Sequence, residues 1–224
     1  MNTRPAWGVL FIGALMVLAL LLSPLWLEQF AGYIREEEAV SPFPDAFYSL
    51  PSLAQDMYAQ LYARSPQMAI DLVAARLAEP VDVEEPNLPA LDPNPAQVQE
   101  LLTGNFVTLD AIRGAQGTAS LFRLSDGRVI LRVQGLEAIN GPDLHVLLSA
   151  YPRPTTKEEL AQVAPYELDL GPLKGNVGNH NYLIENPAFN IDHYSEGSVV
   201  LYSTRYELVF SFAPLAPPPP IPGS

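Results

Sequence analysis

The segment LKGNVGNHNY, residues 173–182, distinguishes between two kinds of fold for this chain. One is an α/β fold with a phosphate-binding loop, and the other is a β fold in which the segment forms turns. A phosphate-binding loop of an α/β fold places its glycines before the lysine and then opens a helix, so that backbone N–H groups converge on the anion. Here Lys174 precedes the glycines, and the residues that follow alternate as in a strand. The segment therefore predicts tight turns, with Gly175 and Gly178 at positive φ. Its polar side chains form a candidate binding loop, made of Lys174, Asn176, Asn179, His180 and Asn181.

Alternation of apolar and polar residues surrounds this segment, from residue 97 to residue 215. In DLHVLLSA, for example, Leu144, Val146 and Leu148 would share one face of a strand. The serine–aspartate–glycine sequence at residues 125–127 is a hairpin signal, and TKEELAQ, residues 156–162, predicts one short helix. Many short strands without interleaved helices predict an all-β domain, an antiparallel β-sandwich or barrel. The eight predicted strands are residues 105–110, 117–124, 128–133, 143–150, 166–170, 181–185, 198–203 and 206–213.

The first 28 residues predict a cytoplasmic tip and a transmembrane signal anchor. Residues 7–27 carry no charge and would form about 31 Å of helix, close to the hydrocarbon thickness of about 30 Å. Arg4 precedes this span and the acidic run Glu36–Glu38 follows it, so the N-terminus is expected in the cytoplasm and the C-terminal domain outside it. A cleaved signal peptide is the alternative, but its apolar core would be shorter and followed by a small-residue cleavage site.

Residues 29–79 are expected to form a juxtamembrane helical stalk. Ser52 is a predicted N-cap of a first helix with a stripe of Leu53, Met57 and Leu61, and Ser65 followed by Pro66 predicts the start of a second helix. The second stripe consists of Ile70, Val73 and Leu77. Such a pair of helices could contact a partner or the membrane, pack on the β domain, or serve only as a stalk.

Two further segments are rich in proline. Residues 80–96 alternate prolines with acidic side chains and predict an extended linker. Residues 216–224 predict a disordered tail of polyproline II character.

Composition limits the classes of function. The formal net charge of −13 argues against a nucleic-acid partner, because phosphate binding requires clustered lysine and arginine. The chain has no cysteine, so thiolate catalysis, disulfides and cysteine-ligated metals are excluded. It also lacks the glycine–X–serine–X–glycine motif of a serine hydrolase, and we identify no catalytic residue.

The histidines give a weak indication of a metal site. His180 could bind a metal together with Asp143 and His193, but none of the local spacings typical of such sites is present. Solvated histidines in loops are the alternative. We therefore predict no cofactor, with a metal or a redox cofactor as the alternative.

Five blocks of the sequence, taken together, resemble the DM13 domain family. Residues 170–184 and 197–215 are similar to its two signature blocks, and residues 104–106, 117–133 and 140–150 are similar to three weaker ones in the same order. The resemblance covers residues 101–215. It implies a compact β-sandwich-like domain, often extracytoplasmic, with an inferred role in electron transfer. The family cysteine in the last block is replaced by Ser203 here, and a hydroxyl cannot undergo thiol redox chemistry.

These observations lead to two hypotheses of function. The first is a non-catalytic binding or interaction module, held outside the cell membrane by a single anchor and bound to a protein partner in the cell envelope. The second is an accessory in extracytoplasmic electron transfer that binds a metal or redox cofactor without a thiol.

Overall fold

The computed structural model describes residues 41–88, 92 and 94–219. The predicted membrane anchor, residues 7–27, and the end of the predicted tail lie outside this part of the chain. Among the described residues, no helix has the length and apolar character needed to cross a membrane. Residues 43–219 belong to one compact unit.

Two helices precede the β domain. A short 3-10 helix, Asp45–Ser49, is followed by α1 (Ser52–Arg64) and α2 (Pro66–Leu77). Ser65 is the N-cap of α2 and Pro66 its first residue, as predicted, although the Ser65 side chain makes no capping bond. The prediction that Ser52 caps α1 was wrong, since Pro51 occupies the N-cap and Ser52 is already helical.

The predicted stripe of α1 is confirmed in part, since Met57 and Leu61 are half-buried and pack against the core. Ala54 and Tyr58 are buried, whereas Leu53 is 63% exposed. Tyr58 packs edge-on against Phe47 of the 3-10 helix, at 6.2 Å between ring centroids. The aromatic ring therefore fixes which side of α1 faces the core. In α2 Val73 is buried as predicted, together with Ala69 and Leu72.

Nine strands in the described residues form two sheets, so the prediction of a mostly antiparallel β domain is confirmed. The first sheet has the order β1–β7–β4–β3–β2, and the second has the order β6–β5–β8–β9. All pairs are antiparallel except β1 with β7. The strands are β1 (Asp82–Glu84), β2 (Gln99–Asn105), β3 (Ala115–Arg123), β4 (Val129–Ala138), β5 (Leu144–Ser149), β6 (Glu167–Pro172), β7 (Val177–Leu183), β8 (Ser198–Ser203) and β9 (Leu208–Pro214).

Local sequence explains the turns. Gly127 has φ of 89° in the β3–β4 hairpin, a conformation that glycine adopts without steric cost. The predicted short helix is α3 (Lys157–Ala161), which begins with a capping box between Thr156 and Glu159.

The predicted strand at residues 105–110 was wrong. The strand β2 ends at Asn105, and a loop follows in which the Asp110 carboxylate accepts hydrogen bonds from the Ile112 N–H and the Arg113 side chain. An aspartate that bonds its own loop in this way favours a turn over a strand.

The main core lies between the sheets. In β5, Leu144, Val146 and Leu148 face this core, while Leu147 belongs to a smaller cluster on the other face. This alternation agrees with the predicted strand pattern. Each fully buried leucine or valine contributes about 1.5–3 kcal/mol of hydrophobic stabilisation.

Candidate functional site

The segment 173–182 begins as a loop and continues as a strand. Residues 173–176 join β6 to β7, and β7 begins at Val177. Gly178 has φ of 108°, as expected, but it lies within β7, where the register with β4 shifts. Gly175 does not have positive φ. The prediction of consecutive tight turns was therefore wrong beyond Asn176, because Gly178 is a strand residue that lies opposite Val83 of β1.

Both glycines allow another segment to approach closely. A Cβ atom on Gly175 would lie closer than 3.0 Å to the Val81 carbonyl oxygen, and one on Gly178 closer than 3.0 Å to the Val83 carbonyl oxygen. Strand β1 lies along β7 with Val83 opposite Gly178. We call residues 81–87 the clip. The surface that receives the clip, here named the acceptor groove, consists of Lys174, Gly175, Asn176, Gly178, Asn179, Asn181 and Arg132.

The asparagines of the candidate binding loop hold the main chain and side chains of the clip. The Val81 N–H donates to Oδ1 of Asn176 at 2.7 Å. Nδ2 of Asn179 donates to Oε2 of Glu84 at 2.5 Å, while its Oδ1 accepts from the Gly135 N–H at 2.9 Å. These side chains therefore connect the clip to the rest of the sheet.

Asn181 and Lys174 make the contacts with the second half of the clip. The Asn181 N–H donates to Oε2 of Glu85 at 2.5 Å, and its Nδ2 donates to the Pro86 carbonyl at 3.0 Å. Nζ of Lys174 donates to Oε1 of Glu85 at 2.7 Å. Burial alone would raise the pKa of Glu85, but the hydrogen bonds from Lys174 and Asn181 hold this pKa below its usual value.

Arg132 supplies a buried cation beneath the clip. Its side chain is almost fully buried, and its guanidinium donates to the Pro86 carbonyl at 3.0 Å, to Oδ1 of Asn181 at 2.8 Å and to Oδ1 of Asn87 at 2.7 Å. Burial lowers the pKa of Arg132, and the nearby carboxylates Glu84 and Glu85 oppose this shift. The planar guanidinium thus binds three acceptors at once, which an ammonium group could not do in the same geometry.

His180 and Tyr182 lie on the buried face of β7. Nε2 of His180 lies 3.3 Å from the Val177 carbonyl, and Nδ1 has no hydrogen-bond partner among the described residues. Burial lowers the pKa of His180. Burial also raises the pKa of Tyr182 to about 12, and its hydroxyl donates to the Pro172 carbonyl at 3.4 Å while it accepts from the Lys174 N–H at 3.2 Å.

The three weak metal candidates lie in different settings. His180 is buried, whereas His193 is exposed on a 3-10 helix, Ile191–Tyr194, with its ring 4.4 Å from that of Tyr166. Asp143 is exposed with φ of 49°. In the part of the chain that the structure describes, no three histidine, aspartate or glutamate side chains form a group that could hold a metal ion.

Ser203, at the position of the family cysteine, is fully buried at the end of β8. Its hydroxyl donates to the Pro142 carbonyl at 2.6 Å. The residue therefore joins β8 to the loop before β5, and its hydroxyl has a structural partner.

Residues 105–215 match the protein family described as "Electron transfer DM13". These residues form a DM13 domain. Both signature blocks of the sequence lie inside it, while the clip and the two helices precede it. The description implies a redox group, but the described residues offer neither a thiol nor a cluster of metal ligands, so their side chains do not fit a protein-ligated redox metal.

Two solved structures are similar to the chain, both variants of superoxide dismutase 5 from Candida albicans. They share 13% and 15% sequence identity with it, cover 57% and 56% of this chain and 97% of theirs, and have TM-scores of 0.40 and 0.38. At these scores the similarity supports no functional argument. No curated protein matches the chain significantly.

Sequence reasoning found the polar residues of the groove but missed the clip and Arg132. The signal for the clip was present, because Val81 and Val83 alternate with Asp82 and Glu84 as in a short strand. The prolines around this segment favoured a linker instead.

Proposed function

We propose that this protein is a non-catalytic binding module, whose DM13 domain is held outside the cell membrane by residues 7–27. The observation that supports this proposal is the acceptor groove, in which the domain binds a segment that lies outside the DM13 match. The polar side chains of the candidate loop make hydrogen bonds to that segment within the same chain. A surface that already holds a peptide segment is suited to holding a partner in the cell envelope.

The type of contact also supports binding. Main-chain hydrogen bonds to the edge of a sheet provide affinity, and side-chain contacts provide specificity. The groove combines both, since the Glu85 N–H donates to the Asn179 carbonyl at 2.9 Å while the Glu84 and Glu85 carboxylates bind side chains and N–H groups of β7.

Site-specific photo-crosslinking in cells of the source organism tests this proposal. A photoreactive residue replaces Leu183, which is 39% exposed on β7, and a matched control replaces Tyr48, which is 57% exposed near α1. We expect one defined envelope protein to be crosslinked at Leu183 and not at Tyr48. Equal labelling at both positions, or none at either, would contradict a binding module that uses this edge.

The second candidate function is an accessory in electron transfer, and the description of the matched family favours it. The full chain, purified without chelators, would then carry stoichiometric metal or a visible absorbance band. His180→Ala, His193→Ala and Asp143→Ala are the substitutions that would reduce its content if these side chains hold it. A colourless, metal-free chain that still crosslinks to its partner would leave the binding module as the function.

A further inference from the structure

The clip differs from the other strands of the described fold. It has three strand residues, it makes the one parallel pairing among the described strands, and it lies at the edge of its sheet. It also lies upstream of the DM13 domain. An edge position means that the clip pairs with one neighbour only, so it can leave without disrupting a central strand.

The groove recognises the clip through its backbone and through its acidic side chains. The backbone contacts are the Val81 N–H with Asn176, the Val177 N–H with the Val81 carbonyl at 3.2 Å, and the Glu85 N–H with Asn179. Such bonds do not depend on the sequence of the bound strand. The glycines at 175 and 178 leave space for any extended backbone in this register.

Specificity comes from charge and from proline. Lys174 and the Asn181 N–H together bind the Glu85 carboxylate, and Asn179 binds that of Glu84. Arg132 and Asn181 both donate to the carbonyl of Pro86, which itself has no N–H to leave unpaired. In a chain with a net charge of −13, the ion pair of Lys174 with Glu85 and the nearness of Arg132 to the carboxylates of Glu84 and Glu85 are a local match of opposite charges.

We infer that the acceptor groove is a recognition site for extended acidic segments that end in proline, and that the clip is its built-in ligand. This inference rests on the proposed binding function and names the partner chemistry. A partner protein that presents two adjacent carboxylates followed by proline displaces residues 81–87 and takes their place along β7. The clip, being part of the same chain, competes at an effective concentration of about millimolar order, so it sets a threshold that the partner must exceed.

A peptide exchange experiment on the full chain in detergent tests the inference. The probe is a fluorescent peptide of residues 79–88, EPVDVEEPNL. In the clip-weakened chain, Glu84→Gln with Glu85→Gln removes both carboxylates and keeps the side-chain size. We expect the peptide to bind this chain at least tenfold more tightly than the native chain, since the internal competitor is weaker.

A charge reversal defines the site of binding. Adding Lys174→Glu to the clip-weakened chain should reduce binding at least tenfold, and a peptide with Glu84→Lys and Glu85→Lys should then bind better than the original peptide. Lys157→Glu is the matched control, because it reverses the chain's other lysine, which pairs with Glu207 on a different part of the domain. It should leave peptide binding unchanged.

Hydrogen exchange in the native chain gives an independent test that needs no variant. The amides of Val81 and Glu85 should exchange well before those of Leu131 and Val133 in β4. Exchange of all four together, or equal peptide binding to native and clip-weakened chains, would overturn the inference.

If the peptide behaves as expected and no crosslinked partner is found, the recognition site stands and the proposed function fails. If a partner is found that the peptide does not displace, the binding function stands and this inference fails.

Discussion

The fold requires glycine at position 178 for two separate reasons, its backbone conformation and the lack of space for a side chain. Its φ of 108° is a conformation that other residues rarely adopt, and the Val83 carbonyl leaves no space for a Cβ atom. Gly127, in the β3–β4 hairpin, has only the first requirement, since its φ is 89° and a Cβ there would meet nothing within 4 Å. The two glycines therefore separate backbone strain from close approach of the clip.

We expect Gly178→Ala to lower the free energy of unfolding by about 2–4 kcal/mol, since it adds overpacking to backbone strain. Gly127→Ala should lower it by about 1–2 kcal/mol through backbone strain alone. Urea unfolding followed by circular dichroism measures both. In the clip-weakened chain the difference between the two variants should shrink, and an unchanged difference would show that the clip is not its cause.

The chemistry of single residues was partly visible in the sequence. The asparagines and Lys174 were predicted to be important, and they do make specific contacts. Their partners in the clip are 89 to 96 positions away in the chain, as with Asn176 and Val81, so local pattern could not name them. The sequence also indicated that Ser203 replaces a thiol, but its bond to the Pro142 carbonyl required the structure.

Two arginines lie in this part of the fold, Arg128 directly before β4 and Arg132 within it. Arg132 is 2% exposed and binds three acceptors beneath the clip, whereas Arg128 is exposed and pairs with Asp126 at the hairpin turn. A solvated cation thus precedes the strand, and a buried one lies within it. Alternation alone could not distinguish them, because the clip that covers Arg132 comes from a segment that looked like a linker.

We expect Arg132→Lys to lower the free energy of unfolding by about 1–3 kcal/mol, because a lysine keeps the charge but leaves acceptors of Asn87 and Asn181 unpaired. Arg128→Lys is the matched control, and exposed substitutions of this kind usually change stability by less than about 0.5 kcal/mol. Chemical unfolding measures the two values. Equal losses for both variants would mean that the guanidinium contacts beneath the clip add no stability.

Whole elements were predicted better than their edges. Period-two alternation correctly indicated β3, β5, β8 and most of β9, since each of these strands has one face in the main core. Strand β2 was missed because QELLTGN lacks β-branched residues apart from Thr103 and begins with polar ones. The helices α1 and α2 were predicted correctly, but the 3-10 helix before them fixed the buried face of α1.

The stability of the whole domain should depend on pH through His180. Burial lowers its pKa below the ordinary value of 6.5, so the unfolded chain binds a proton that the folded chain excludes. The resulting stability is complete above about pH 6.5 and is lost as the pH falls from there toward the lower pKa of the folded state. Glu85 acts in a lower range, because its lowered pKa gives stability that is lost only as the pH falls below that of an ordinary glutamate.

We expect His180→Leu to flatten the decline in unfolding free energy between pH 7 and pH 5. Urea unfolding of the native and variant chains at pH 8, 7, 6 and 5 measures this. The difference at pH 8 reports packing and the lost contact with the Val177 carbonyl, so only its change with pH reflects the titration. An identical decline in both chains would assign the pH dependence to other groups.

From the sequence alone we propose that residues 7–27 anchor the protein in the cell membrane and hold the β domain outside it. We expect the chain to stay in the membrane fraction after alkaline carbonate extraction, at its full mass of 24.5 kDa, and the β domain to be digested by protease added to intact spheroplasts. Leu15→Arg with Leu20→Arg should weaken the anchor, since each arginine at the centre of a membrane helix costs about 2.5–3.5 kcal/mol of insertion free energy. Leu53→Arg, on the exposed face of α1, is the matched control and should leave the chain in the membrane. A purified chain that is shorter by about 27 residues or more would instead identify a cleaved signal peptide, and a β domain that is protected in spheroplasts would place it in the cytoplasm.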